Sequence, residues 1–330
     1  MNLRDRLVDL PLSDETAVAA VHARAADILR PPGALQWLDD LAAWIAGWQR
    51  QPRPTIDRPV GLVFAADHGV AAAAKVSALE PKVTAAMFAA CAEGRSTIRS
   101  FARHAGATVT AIDVGVGKPT GDIRFEAAMS EERFAEIVDL AWTAVDAVDG
   151  DLLVLGEMGI GNTTVSAAVA AALAGGETAA WVGRGTGIDD ATLTVKRAAV
   201  QQAVRRIAGV TDLLDVLREV GGSELVAIAA AVVAARHRSL PVVLDGYVVT
   251  ASVLPLVLLA PAVLDHCTVG HCSAEPGHRR LLDRLGKRPL LDLDMRLGEG
   301  SGAMAAVPLI AMACAGITEV PTLTEWFDQS

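Results

Sequence analysis

A repeated pattern of short apolar runs constrains the fold of this chain more than any other sequence feature. Each run ends in an acidic residue, a histidine or a glycine, and an alanine-rich helical pattern usually follows. Strands buried on both faces of a parallel sheet have such continuous apolar runs. The pattern therefore predicts an α/β fold with a doubly wound, mostly parallel sheet. The predicted strands are residues 60–65, 108–112, 152–155, 179–182, 242–244 and 290–293.

The two ends of the chain differ from this pattern and predict a second, smaller helical domain. Two amphipathic helical patterns, at about 14–29 and 34–49, are separated by Pro31, Pro32 and Gly33. One short helix is predicted after Pro321, and we expect it to pack with the first two. The predicted division is 1–58 for the amino-terminal helices of the small domain, 59–315 for the large α/β domain and 316–330 for the carboxyl-terminal helix.

Composition limits the partners that this protein can have. Its 330 residues carry a formal net charge of −10, and we therefore expect no nucleic-acid partner, since contacts to phosphate backbones need clustered Lys and Arg. Hydrophobic residues make up 52% of the chain and aromatic residues only 4%. Alanine, valine and leucine therefore supply the apolar mass, as is typical of helices packed on a parallel sheet.

No export or membrane segment is predicted. The first residues mix charges of both signs and do not resemble a signal peptide. The longest apolar run, 248–264, contains Pro255 and Pro261, and we interpret it as a buried helix rather than a membrane span. The four cysteines are too few and too scattered for a disulfide framework. These features predict a cytoplasmic protein that has no membrane partner.

The loop after the predicted strand 152–155 is a candidate phosphate site. It reads Gly-Glu-Met-Gly-Ile-Gly-Asn-Thr-Thr from residue 156, and it leads into an alanine-rich helix. Gly159 and Gly161 would let the backbone approach a ligand, while Asn162 and Thr163 are good helix-cap residues beside free amides. An ordinary tight turn is the alternative. Glu157 favours a functional site, because ligands bind at the carboxyl ends of strands in open α/β sheets.

A second glycine-rich loop begins at residue 183 and reads Gly-Arg-Gly-Thr-Gly-Ile-Asp-Asp. Two such loops at one sheet edge would enclose a phosphorylated ligand, with Arg184 or Lys196 balancing its charge. A glycine-rich surface turn is the alternative interpretation. The candidate ligand-binding residues of this segment are Gly183, Arg184, Gly185, Thr186, Gly187 and Lys196.

Glu299 stands between Gly298 and Gly300 at the start of an apolar helix pattern. Glycine on both sides would let a planar ring approach, and partial burial raises the pKa of a carboxylate toward that of a useful base. We therefore predict that Glu299 is a general base. The alternative is an exposed glutamate that only favours the helix dipole.

The histidines and cysteines at 266, 267, 271 and 272 invite a zinc hypothesis, but they lack the paired Cys-x-x-Cys spacing of common zinc sites. We predict that this cluster does not bind metal. Ser273, Glu275 and His278 are instead expected to face a pocket.

These motifs, in this order and spacing, resemble the nicotinate-nucleotide:dimethylbenzimidazole phosphoribosyltransferases of cobalamin lower-ligand synthesis. The resemblance covers about residues 60–314 and includes the two glycine-rich loops, Leu-Asp-Gly at 244–246, Ser-Ala-Glu at 273–275 and Arg-Leu-Gly-Glu-Gly-Ser-Gly from 296. It implies an enzyme that transfers the phosphoribosyl group of nicotinate mononucleotide to a benzimidazole nitrogen. The products would be α-ribazole 5′-phosphate and nicotinate.

The resemblance also implies roles for individual residues. Glu299 would remove the benzimidazole proton, Glu157 would hold or polarise the reacting pair, and the two loops with Lys196 would bind the 5′-phosphate. It implies a homodimer and neither a metal nor a redox cofactor. Further substrate-binding candidates are Asp67, His68, Leu79, Met87, Asp245 and Ser273.

The chain departs from this family pattern near the expected acceptor base. The family often has Ser and Gln where this sequence places Leu79 and Met87, which indicates a more apolar pocket. The acceptor therefore stays open among dimethylbenzimidazole, another benzimidazole, adenine and a phenol. Two further alternatives also remain, a nucleotide-binding regulatory protein that has lost turnover and a nucleoside hydrolase or phosphorylase. Glu299 favours an enzyme, because a binding-only protein has no evident use for it.

Overall fold

Parallel pairing joins every strand of the sheet that organises the molecule. The computed structural model describes residues 2–328. Within them, six strands form one sheet in the order β2-β1-β3-β4-β5-β6. This order reverses direction between β1 and β3, as in doubly wound folds. The strands are β1 Pro59–Ala66, β2 Thr108–Gly115, β3 Leu152–Met158, β4 Val242–Leu244, β5 Cys267–His271 and β6 Pro289–Leu291.

Helices connect the strands and cover both faces of the sheet. Several of them begin at a side chain that caps free amides, such as Asp14, Ser130, Asp189 and Asp212. The α-helices are α1 Glu15–Asp27, α2 Gln36–Gln49, α3 Gly69–Ala74, α4 Val83–Ala92, α5 Thr97–His104, α6 Glu131–Asp146, α7 Asn162–Ala174, α8 Asp190–Arg206, α9 Leu213–Val220, α10 Ser223–His237, α11 Tyr247–Leu259, α12 Pro276–Leu285, α13 Ser301–Thr318 and α14 Leu323–Phe327. Short 3₁₀ helices span Arg4–Leu7, Thr178–Trp181 and Pro261–Leu264.

Alternate residues of β1 contribute to two hydrophobic cores on opposite faces of the sheet. Leu62 and Phe64 pack in one core with residues of α6, α7, α10 and α11. Val63 and Ala65 pack in the other with residues of α1, α2, α5 and α13. This alternation is the period of two expected of a strand that is buried on both sides. The α/β doubly wound prediction is confirmed.

One predicted strand is wrong, and one observed strand was not predicted. Residues 179–182 do not form a strand, because Thr178–Trp181 is a 3₁₀ helix and the Trp181 carbonyl oxygen accepts a hydrogen bond of 2.7 Å from the Tyr247 hydroxyl. The apolar side chains of this segment pack beside α7 and α12. Its backbone pairs with none of the six described strands. Conversely, β5 was not predicted, since its sequence Cys-Thr-Val-Gly-His looks polar although its residues are mostly buried.

The chain ends pack together against one face of the sheet. Arg24 of α1 forms a salt bridge of 2.7 Å with Glu325 of α14, and Ile28 forms an antiparallel bridge with Thr322. The core of α1 and α2 is continuous with that sheet face. The division at 58/59 and 315/316 stays a prediction, and Met1, Gln329 and Ser330, which it includes, lie outside the described residues.

Helix α13 is long and apolar enough to cross a membrane by length and composition alone. More than half of it is buried inside the protein, as in the core helices of globular folds, and it packs against α2, α5 and β5. The run 248–264 forms α11 and a 3₁₀ helix, and most of α11 is buried as predicted.

Candidate active site

A cavity of about 320 Å³ opens at the carboxyl ends of the strands. Loops that follow β3, β4, β5 and β6 contribute to its walls, together with residues 76–87 and the segment around 185. This is the edge at which open α/β sheets bind their ligands. The cavity brings together thirteen of the residues predicted from sequence, namely Leu79, Met87, Glu157, Gly159, Gly161, Asn162, Thr163, Gly185, Thr186, Lys196, Asp245, Ser273 and Glu299.

The first glycine-rich loop turns tightly between β3 and α7. Gly161 has φ +100° and is the N-cap of α7, so neither Asn162 nor Thr163 has the capping role expected of it. A side chain at Gly161 would meet the Cβ of Ala71 at 2.8 Å. Asn162 uses its side-chain amide differently and donates a hydrogen bond to Glu157 Oε2. Of the first three α7 amides, those of Asn162 and Thr164 already donate to the Gly159 and Gly161 carbonyl oxygens, at 3.2 Å and 2.9 Å. The amide of Thr163 is left to bind an anion.

Lys196 connects the two glycine-rich loops. Its Nζ donates hydrogen bonds to Thr163 Oγ1 at 2.8 Å and to the Gly183 carbonyl oxygen at 3.1 Å. Burial lowers the pKa of Lys196 to about 8, and the nearby Glu275 carboxylate opposes that shift. Glu275 Oε1 also accepts a hydrogen bond of 2.8 Å from the Gly185 amide. A buried ammonium group thus stands at the junction of the two loops.

Three predicted residues of the second loop lie outside the cavity wall. Arg184 turns away, because its guanidinium pairs with Asp190 at 2.5 Å and with the Ile188 carbonyl oxygen at 2.8 Å. Lys196 is the basic group of this loop pair that lines the cavity, and a role of Arg184 in balancing ligand charge stays a prediction. Gly183 packs tightly against the Glu275 carboxylate, and Gly187 supplies a turn with φ +98°.

Asp67 and His68 are also placed behind the wall rather than on it. Asp67 Oδ2 accepts a hydrogen bond of 2.8 Å from the Gly117 amide. His68 is 1% exposed, and its Nε2 lies 2.9 Å from Oε1 of the fully buried Glu224. Neither residue is among those that line the cavity, and their direct contact with substrate stays a prediction.

Glu299 has an unusual backbone conformation that directs it to the cavity. It has φ +65° and is flanked by Gly298 and Gly300, whose φ values are +82° and +81°. Left-handed geometry is rare for residues other than glycine and marks stored strain at functional sites. The Ile98 amide, at the start of α5, donates a hydrogen bond of 3.5 Å to Glu299 Oε2.

The pKa values of both candidate glutamates are raised. Burial, followed by the negative charges of Asp245, Glu224 and Glu299, raises the pKa of Glu157 well above its usual range. Burial also raises the pKa of Glu299, although hydrogen bonds from the amides of Ile98 and Thr97 limit the shift. Raised carboxylate pKa values inside a cleft are typical of functional groups.

A buried pair beside these glutamates was not predicted as a pair. Asp245 Oδ1 accepts a hydrogen bond of 2.8 Å from the Ala303 amide in the first turn of α13, and His271 Nε2 lies 3.3 Å from the same oxygen. Burial lowers the pKa of His271, but the hydrogen bond to Asp245, the charge of Asp245 and a hydrogen bond with the Cys272 backbone together raise it above its usual value. The available sequence signal for this pair was the position of His271 at the end of β5. That signal was missed because β5 was not predicted.

The remaining histidines and cysteines of this region are bonded within the protein. His266 Nε2 contacts the Val232 carbonyl oxygen at 3.0 Å, and the Ser273 amide donates to His278 Nδ1 at 2.7 Å. His266 and His278 thereby serve the core, and burial lowers the pKa of each to about 3. Among residues 2–328, no group of three or more His, Cys, Asp or Glu side chains is arranged to hold a metal ion. Of the three expected pocket residues, Ser273 and Glu275 line the cavity and His278 does not.

Comparison with known proteins places this arrangement in a family. A family model described as "Phosphoribosyltransferase" (DBI_PRT) matches residues 10–326. The chain belongs to this phosphoribosyltransferase family. Similar members include proteins named nicotinate-nucleotide–dimethylbenzimidazole phosphoribosyltransferase from Methylocella silvestris and Mesorhizobium japonicum. The first is 46% identical and the alignment covers 98% of this chain and 95% of the relative, while the second is 47% identical with 94% and 92% covered.

Solved structures of phosphoribosyltransferase relatives share the fold. The crystal structure of CobT from Thermus thermophilus superposes with a TM-score of 0.89 at 40% identity. The alignment covers 94% of this chain and 98% of that one. The family assignment agrees with the resemblance seen in the motifs around Glu157 and Glu299.

Proposed function

We propose that this protein transfers the phosphoribosyl group of nicotinate mononucleotide to a nitrogen of a benzimidazole-type base, releasing nicotinate and α-ribazole 5′-phosphate. One observation carries the proposal. The same cavity is lined by Glu299, which is buried and has a strained backbone, and by the candidate phosphate site, which consists of the glycine-rich loop and Lys196. The names of the curated relatives support the same reaction. A protein that only binds nucleotides would need the phosphate site but would have no use for a general base at Glu299.

Glu299 is the proposed general base. As the benzimidazole nitrogen forms its bond to the ribose anomeric carbon, the ring must lose its N–H proton, and Glu299 would accept it. A positioned base typically contributes about 10²–10⁴-fold to such a step. The C–N bond to nicotinate breaks at the same carbon, and its electron pair stays on the pyridine nitrogen. Nicotinate then leaves with a neutral ring nitrogen and needs no acid.

The phosphate half of the substrate is proposed to occupy the wall formed by Gly159, Gly161 and Lys196. Backbone amides at the start of a helix and a buried ammonium group are a favourable environment for a dianionic phosphate. Asn162, Thr163, Gly185 and Thr186 border the same part of the cavity. Glu157, held by Asn162, would orient the ribose and the departing nicotinate beside Glu299.

The acceptor base is proposed to lie against Leu79 and Met87. Both side chains line the cavity, and Leu79 is 42% exposed beside its mouth. An apolar wall binds a ring with methyl substituents better than one with hydrogen-bonding groups. We therefore place dimethylbenzimidazole ahead of adenine and phenols as the preferred acceptor.

The deciding experiment follows nicotinate release from nicotinate mononucleotide with and without each candidate base. Release that requires dimethylbenzimidazole and yields the α-riboside supports the proposal, since a single displacement inverts the β-nucleotide. Release without a base would instead identify a hydrolase. A β-riboside product would require two displacements and would contradict the single-step chemistry.

We also propose that the protein is a cytoplasmic homodimer with no nucleic-acid or membrane partner. The family resemblance supports the dimer, and the net charge of −10 argues against nucleic acid. Light scattering on the purified protein would test the dimer, because a monomeric mass at assay concentrations contradicts it.

A further inference from the structure

A buried histidine and glutamate lie directly beneath the glycine-rich loop, and the proposed reaction uses neither of them. His68 follows β1, and Glu224 is in the first turn of α10. Both side chains are 0% exposed, and His68 Nε2 lies 2.9 Å from Glu224 Oε1. Burying a carboxylate is costly unless it is paired, so this contact needs an explanation in the fold.

The imidazole of His68 is enclosed between two glycine-containing segments. On one side, a side chain at Gly159 would come within 3.0 Å of Nε2, and one at Gly161 would come within 3.6 Å of the His68 Cβ. On the other side, a side chain at Gly222 would meet His68 Cε1 at 2.5 Å. The ring therefore fills the space between the candidate phosphate loop and the start of α10.

Glu224 fixes the ring in that space. The remaining imidazole nitrogen, Nδ1, and the second carboxylate oxygen, Oε2, have no hydrogen-bond partner among residues 2–328. The contact between Nε2 and Oε1 is short but lies outside hydrogen-bond alignment, so close packing holds the two groups together. Each group is thus the other's main polar partner.

We propose that His68 and Glu224 form a buried positioning pair that holds the 159–161 loop in its phosphate-binding conformation. The pair touches no substrate, since neither residue lines the cavity. It acts through Gly159 and Gly161, which rest on the ring. The assignment of a substrate phosphate to this loop rests on the proposed function. The contact by which His68 and Glu224 hold the loop does not depend on it.

The substitution Glu224→Ala tests the pair, and Glu224→Gln is its conservative partner. Alanine leaves the imidazole without its polar neighbour, while glutamine fills the same space and keeps a polar side-chain atom beside Nε2. Misplacing a binding group by about 1 Å can cost about 10²-fold. We expect Glu224→Ala to raise the KM for nicotinate mononucleotide by about 10–100-fold and to leave the KM for the acceptor base unchanged. Glu224→Gln should stay within about threefold of wild type.

A matched control separates positioning from general loss of stability. Ile137 of α6 is fully buried, and α6 packs against α10, the helix that carries Glu224. Ile137→Ala should lower the melting temperature, as deleting buried methyl groups does, without changing either KM. An equal rise of the nucleotide KM in Ile137→Ala would overturn the proposal, and so would a wild-type nucleotide KM in a folded Glu224→Ala protein.

Amide hydrogen exchange gives a readout that does not depend on the reaction. In Glu224→Ala, the amides of residues 159–163 should exchange faster than in wild type, whereas in Ile137→Ala they should not. Unchanged exchange in that loop would refute the positioning pair even if the wild-type enzyme is active. Faster exchange in Glu224→Ala, together with a wild-type protein that releases no nicotinate, would instead support the pair and refute the proposed function.

Discussion

The backbone amide of Glu299 donates a hydrogen bond of 3.0 Å to the carbonyl oxygen of Glu157. The two proposed reactive glutamates are therefore joined through the main chain, although they lie far apart in the sequence. Gly156 allows this approach, because a side chain there would collide with the backbone at Glu299. The relative position of the two carboxylates thus depends on backbone contacts that a side-chain substitution leaves in place.

Glu299→Gln should lower kcat by about 10²–10⁴-fold and leave nucleotide affinity close to wild type. Glutamine retains the size of the side chain and its contact with the α5 amides, but it cannot accept the benzimidazole proton. Steady-state kinetics and calorimetry with nicotinate mononucleotide would measure the two quantities. Wild-type turnover, under conditions where chemistry is rate-limiting, would move the base role to Glu157 or to solvent.

Gly161→Ala should weaken the binding of nicotinate mononucleotide by at least about tenfold, because a Cβ at φ +100° is strained and meets Ala71 at 2.8 Å. Gly209→Ala is the matched control, since a Cβ at that glycine has open space and no positive φ. Circular dichroism would establish that both variants are folded. Equal affinities in the two variants would remove the 5′-phosphate from this loop.

The affinity for nicotinate mononucleotide should fall as the pH rises through about 8. Burial lowers the pKa of Lys196 to about 8, so the ammonium charge is present below that pH and is lost above it. The substrate phosphate is already dianionic there, since its second pKa is about 6. Calorimetric titrations across this range would measure the effect. Lys196→Met should bind weakly at every pH, and a wild-type affinity that stays constant well above pH 8 would contradict the role of Lys196.

Glu157→Gln should stabilise the fold at neutral and alkaline pH while reducing activity. The pKa of Glu157 is raised in the folded state, mainly by burial and then by neighbouring carboxylates. Its contribution to stability is therefore present below the unfolded pKa and is lost as the pH rises toward the folded one. A neutral amide avoids that loss, and a gain of about 1 kcal/mol corresponds to roughly 2–4 °C.

Thermal unfolding at several pH values would test this expectation. The advantage of Glu157→Gln over wild type should grow with pH and disappear in acid, where the wild-type carboxyl is neutral in both the folded and the unfolded state. A constant difference across the range would mean that packing, not ionisation, distinguishes the two proteins.

The sequence predicted the parts of this molecule that depend on local pattern. Apolar runs at β1 and β3 and the glycines at 159 and 161 reflect backbone requirements that adjoining residues determine. The direction of a side chain is a different matter. Arg184 has the right chemistry beside the right loop, yet Asp190 turns it away from the cavity. Competition between nearby partners of this kind is not visible in a motif.

Contacts between residues far apart in the chain also leave no local sequence pattern. Glu224 lies in no motif, and its contact with His68 depends on how α10 packs beside the end of β1. The same holds for Asp245 and His271, which meet across neighbouring strands β4 and β5. Because β5 looks polar in sequence and was not predicted, its last residue, His271, was not expected at the edge of the sheet that forms the cavity.

The unequal strand lengths predict where the sheet opens locally. Strands β1, β2 and β3 have eight, eight and seven residues, whereas β4 and β6 have three each. Fewer ladder bonds hold the β4–β6 side, and local openings begin where hydrogen bonding is sparse. Glu157 belongs to the long-strand side, while Glu299 follows the short edge strand β6. We expect substrates to enter and products to leave through transient opening of that edge, with Glu157 and its glycine-rich loop remaining as the fixed wall.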